Sequence, residues 1–152
     1  SVSEVFHYFL KQNLNLSRNI LNEILICVDE MVYNAYIHGT LDLNMQERGL
    51  EHSKLQNLIN ERLQQPEYAF RRIRFHFCLC NNANAIKISV EDDGSGFDYK
   101  QWINRVTNEP KLNLEENGRG IAMLYHLADK LEFENEGRKV TICKKIPVNN
   151  RK

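Results

Sequence analysis

The chain has 152 residues, 42% hydrophobic and 26% charged, with 20 basic side chains against 20 acidic ones. That length suffices for one domain with its own core, spanning 1–152. The balanced charge argues against a broad footprint on nucleic acid or anionic membrane, and no apolar run has transmembrane length or signal-peptide form.

The first element in the chain is a short amphipathic helix at 3–12, within an N-terminal segment 1–16. Sequence of this kind starts at once from Ser1 rather than Met, which predicts a piece cut from a longer protein. A longer helix follows from about 17 to 39, with Ser17 as N-cap and Gly39 as C-terminal stop. Its apolar stripe is Leu21, Leu25, Val28, Val32 and Ala35. Residues 40–69 are a mostly polar insertion, yet Leu55, Leu58, Ile59 and Leu63 predict a helix there, which Pro66 ends.

The period then changes from helix to strand. In "RRIRFHFCLC" Ile73, Phe75, Phe77 and Leu79 alternate with polar residues, as do Ile86, Ile88 and Val90 in "AIKISVE". "NNAN" between them predicts the turn of an antiparallel hairpin. Alternation implies one sheet face under helices and one wetter face. A short helix is expected at 98–106, a polar stretch to 118, and a helix from about 119 to 130. A last hairpin turns at Glu136 and Gly137. Helices on one face of a mostly antiparallel sheet make an α+β two-layer sandwich.

Four scattered cysteines, with no CxxC pair, fit a reduced, cytoplasmic setting. Cys78 and Cys80 share one strand face, where small buried thiols are common. No His/Cys spacing favours a metal there.

Three stretches carry candidate chemistry. Glu30, Asn34 and His38 fall at i, i+4 and i+8 on the long helix, one polar row bordered by Cys27 and Met31. Taken alone, that row reads first as an exposed face of no consequence. In "EDDGSGFD" a strand delivers Asp93, then Gly94 and Gly96, whose missing side chains leave room for a flat ring. The spacing does not suit calcium: with Gly94 sixth in an EF-hand loop, the twelfth residue is Lys100, not Glu. No third glycine completes a dinucleotide fingerprint, and there is no GxxxxGK[ST] P-loop. In "ENGRGIAML" Gly118 and Gly120 open a helix whose N-terminal amides and Arg119 suit an anion, although such starts are also common as plain turns.

In this order the three stretches resemble the GHKL (Bergerat-fold) ATP-binding superfamily over about 17–146. Glu30, Asn34, Ala35, His38 and Gly39 match its N box, E-x-x-x-N-A-x-x-H-G. Asp93, Gly94, Gly96 and Phe97 are assigned to its G1 box, D-x-G-x-G-F. Gly118, Arg119 and Gly120 match its G2 box. Within that superfamily the sequence is most similar to bacterial anti-sigma-factor serine/threonine kinases. The resemblance implies ATP and Mg²⁺ as cofactors. It implies a STAS-type anti-anti-sigma protein as substrate, a sigma factor as a second partner, and homodimers. Related domains are fused to receiver and PP2C-type phosphatase domains, and the long segment 40–69 resembles those versions.

Residue by residue, the resemblance makes Asp93 the reader of the adenine amino group and Asn34 the Mg²⁺ ligand. It gives the phosphates to Gly118, Arg119 and Gly120, and a lid to 107–118. Glu30 becomes the base that takes a proton from a partner serine; sensor histidine kinases usually carry Asn there. Two features depart from the pattern. Gly137 is followed by Arg138, where the family often has an adenine-binding Thr, although Thr141 lies nearby. The lid is short and lacks a phenylalanine box. Two other readings stay open: a nucleotide-gated binding module, and a histidine-kinase catalytic domain without its acceptor helices.

Overall fold

The computed structural model describes residues 1–80, 82, 84–108 and 116–147, and for 116–118 the helix alone. Four strands, β1 (Ile73–Cys80), β2 (Ala85–Asp92), β3 (Lys130–Glu134) and β4 (Lys139–Lys145), form a sheet in the order β1-β2-β4-β3. All neighbours are antiparallel. The register aligns two apolar rows across the four strands: Phe75, Val90, Val140, Phe133, and Phe77, Ile88, Ile142, Leu131. The opposite face carries a polar row of His76, Ser89, Thr141 and Glu132, as strand alternation requires.

Helices α1 (Val2–Asn13), α2 (Arg18–Asn34) and α7 (Glu116–Leu127) cover the apolar face. Phe6 and Phe9 of α1 pack on Phe77 with ring centroids 4.8 and 4.7 Å apart, which fixes α1 over β1. Leu10, Ile24, Val28, Ile86, Ile88, Leu124 and Ile142 are fully buried between the layers. Each such side chain contributes about 1.5–3 kcal/mol by leaving water. The architecture is the α+β sandwich that the alternation predicts.

Two local expectations change, and one is extended. The long helix does not stop at Gly39: α2 passes into a π-helical turn, Ala35–Thr40, closed by the Leu41 amide donating to the Tyr36 carbonyl at 2.9 Å. The helix before Pro66 does end, and Pro66 takes the first position of a further short helix, α5 (Pro66–Ala69), where its missing N–H would have no helical partner anyway. Before it come α3 (Met45–Arg48) and α4 (His52–Leu63). Cys78 is exposed on the outer sheet face, its Sγ 3.5 Å from that of Cys80, rather than buried.

The insertion has its own small core, Ile37, Leu41, Leu43 and Ile59. Arg62 of α4 donates to the Leu41 and Asp42 carbonyls and pairs with Glu47 of α3. These contacts seat α3 and α4 on the π-turn. Helix α6 (Tyr99–Asn108) packs on α7 through Trp102, Val106, Ile121 and Ala122. Residues 109–115, most of the expected lid, lie outside the described residues. Among the described residues no helix is long and apolar enough to cross a membrane.

Candidate functional site

Between the π-turn, the ends of β2 and β4, α6 and α7 lies a cavity of about 300 Å³. That is the lower range of small-molecule sites. Val90, Val140, Ile121, Leu124, Phe97 and Phe133 give it apolar walls, and Asn34, His38, Arg48, Asp92 and Arg138 its polar groups.

The β2 end of the cavity depends on close backbone packing. A Cβ on Gly94 would stand 2.6 Å from the Gly39 Cα, and one on Gly39 would overlap the Asp92 carboxyl. The Gly39 carbonyl accepts from Arg71 Nη1 at 2.9 Å. Gly96 has φ +80°, a left-handed conformation, and its α-carbon lies against the Glu136 carbonyl. Gly94 and Gly96 were expected to make room for a ring of the ligand. Their missing side chains admit other parts of the chain; Gly96 stands in the cavity wall and Gly94 does not.

The expected reader of the base lies outside the cavity wall. Asp93 points away from the cavity and is bound at 2.8 Å both by the Arg72 amide and by Arg74 Nη2. The Arg74 hydrogen bond holds its carboxyl below the usual range. Asp92 faces the cavity and accepts from the Gly94 amide at 2.8 Å. Burial pushes the Asp92 carboxyl upward, opposed by that amide. The sequence carries two signals for this. The alternation that turns Ile86, Ile88 and Val90 inward continues to Asp92. Counting back two residues from Gly94, as D-x-G-x-G requires, also gives Asp92.

Thr141 is also outside the cavity wall. It is buried on the outer face opposite Ser89, whereas its neighbour Val140 lines the cavity. Arg138, two residues before Val140 on the same side, reaches the wall. Its Nε donates to the Asn135 carbonyl at 2.9 Å.

The helical residues are brought together. Asn34, Ala35, His38 and Gly39 all line the cavity. Glu30 lies one turn before Asn34, half-buried, and so near the start of α7 that a Cβ on Gly120 would overlap its Oε1. Burial raises the Glu30 carboxyl above its ordinary value, while a hydrogen bond with Asn34 acts in the opposite direction. That bond engages the Asn34 NH₂ group, so the carbonyl oxygen is the atom Asn34 can offer a cation. His38 Nε2 is 3.1 Å from Arg48 Nη1, and burial, with the nearby Arg48 charge, depresses the imidazole to about 4.

At the other end, Gly118, Arg119 and Gly120 fall in the first turn and a half of α7, and Arg119 is exposed outside the cavity wall. Phe97 lines the cavity, its ring edge-on to Phe133 at 5.6 Å. Arg48, Met45 and Trp102 are wall residues that no motif marks, because the insertion and α6 reach the cavity only through tertiary packing.

Residues 1–144 match the family model described as the histidine kinase-like ATPase domain. The match covers nearly the whole chain, and the protein belongs to that family, an ATP-binding, kinase-like domain. No curated protein and no solved structure matches the chain.

Proposed function

We propose that this domain is an ATP-dependent protein-serine/threonine kinase of a bacterial partner-switching system, working in the cytoplasm. Its substrate is a serine of a STAS-type anti-anti-sigma protein, and it also acts as an anti-sigma factor that holds a sigma factor. The observation that carries this reading is the placement of Glu30. A carboxylate with a raised pKa, one turn before the Asn34 amide and against the start of α7, suits removal of a proton from a hydroxyl. A phosphoacceptor imidazole has no such need, which favours serine over histidine as the acceptor.

The residues fit the nucleotide that the family implies. Val90, Val140, Ile121 and Leu124 offer apolar faces to a purine, and Asp92 at their edge accepts from an exocyclic amino group. The Asn34 carbonyl offers magnesium the hard oxygen that it prefers, and the ion would offset phosphate charge there. The amides opening α7, with Arg119, favour the phosphates. Arg138 occupies the place of the family's threonine and supplies donors beside Asp92 rather than a hydroxyl.

The test is to incubate the domain with ATP, Mg²⁺ and a STAS-type partner and to look for phosphoserine by mass spectrometry. Tight ATP binding without transfer would turn the reading toward nucleotide-gated capture of a partner. Transfer to a histidine would overturn it.

A further inference from the structure

Arg48 comes from the helical insertion, yet it stands in the cavity wall beside residues of the N box. Its position is built rather than incidental. Helix α3 is tied through Glu47 to Arg62 of α4, which also donates to the Asp42 carbonyl, and α4 packs by Ile59 on the small core beside the π-turn. Among the bonds that orient the guanidinium are Nε to the Asn44 carbonyl at 3.3 Å and Nη1 to His38 Nε2 at 3.1 Å. Arginine has no acceptor, so Nε2 receives this bond and the imidazole proton sits on Nδ1. A neutral imidazole orients the guanidinium without cancelling its charge.

His38 follows Asn34 by four residues and both face the cavity, so Arg48, bonded to His38, shares a wall with the expected cation ligand. In the other direction, Gly39 touches Asp92. Arg48 therefore shares one cavity with Asn34 and Asp92, the groups that suit the two ends of a nucleotide. A planar guanidinium fork matches phosphate oxygens in charge and geometry.

We infer that Arg48 binds a phosphate of the nucleotide, that His38 is the positioning residue for it, and that the insertion thereby completes the nucleotide site. This rests on the reading of the cavity as an ATP site. The insertion then contributes to affinity directly, and its seating on the π-turn matters to ligand binding as well as to folding.

The test compares ADP with adenosine on the whole chain by calorimetry, using wild type, Arg48→Ala and Arg48→Lys. The expected result is that Arg48→Ala weakens ADP by roughly 10- to 100-fold, the range of a charged hydrogen bond. Adenosine binding stays within about twofold, and Arg48→Lys recovers part of the loss. Equal loss for ADP and adenosine would mean that Arg48 only shapes the cavity, and unchanged ADP binding would mean that it touches no phosphate. Either result overturns the inference. A wild-type chain that binds neither ligand would instead overturn the ATP reading beneath it. Combining His38→Leu with Arg48→Ala should cost ADP little more than Arg48→Ala alone, and additive losses would remove His38 from the positioning role.

Discussion

The α-carbons of Gly39 and Gly94 meet so closely that a Cβ on Gly94 would stand 2.6 Å from Gly39 Cα and 2.7 Å from its carbonyl oxygen. The obstacle is backbone on both sides, so no side chain can move out of the way. Gly94→Ala should therefore push the end of β2 from the π-turn and cost about 1–3 kcal/mol in urea unfolding. Nucleotide affinity should fall with it, because the same contact sets Asp92 against Gly39. Gly49→Ala is the control. Its added Cβ would be 3.6 Å from its nearest neighbours, and stability should stay within about 0.5 kcal/mol.

Two adjacent aspartates should behave differently. Asp92→Asn keeps an acceptor for the Gly94 amide but weakens the acceptor offered to an adenine amino group. We expect a loss of about 1–3 kcal/mol in ATP affinity by calorimetry. Asp93→Asn removes an exposed partner of Arg74 and should leave ATP affinity unchanged. The reverse order would return the base-reading role to Asp93.

Glu30→Gln should retain ATP binding and lose phosphoryl transfer by about 10²–10⁴-fold. Because burial raises the Glu30 carboxyl above 4.5, the acidic limb of the wild-type rate profile should lie above pH 4.5, with the rate rising as the base ionises. The stability consequence has the opposite sense. A carboxyl whose folded pKa is raised gives its full stability below 4.5 and loses it as pH rises through the folded value. Glu30→Gln should thus melt higher than wild type at pH 8, while it is inactive.

His38 supplies a separate pH signature. Its folded pKa of about 4, against 6.5, means that the unfolded chain binds more protons between these values. Stability should be full above about pH 6.5 and decline as pH falls toward 4. The contribution is at most about 3 kcal/mol. Urea unfolding at pH 5 and pH 7.5 should show this difference shrinking in His38→Gln. A pH dependence identical to wild type would show that the imidazole is not desolvated in solution.

The sandwich was legible because its signals are periodic. Phe75, Phe77, Ile86, Ile88 and Val90 alternate, and the four-strand rows follow from that. Glu30, Asn34 and His38 were legible for the same reason, being spaced by helical turns. What the sequence hid depends on contacts distant along the chain. The π-turn is imposed by packing of Ile37 and Leu41 on the insertion, and no local preference announces it. Arg48 and Trp102 are ordinary polar-segment residues until α3 and α6 are placed. The choice between Asp92 and Asp93 was different in kind: strand alternation held the answer, but the pair of acids masked it.

Trp102 is the chain's only tryptophan, and it forms part of the cavity wall with the Arg105 guanidinium 4.9 Å from its ring. Indole emission responds to the polarity and the quenchers around it, so the tryptophan fluorescence of this chain originates at one place, in the cavity wall. Arrival or departure of a molecule in the cavity becomes an optical event in the unlabelled chain. Its rate can then be followed by stopped flow, without a dye or a modified ligand.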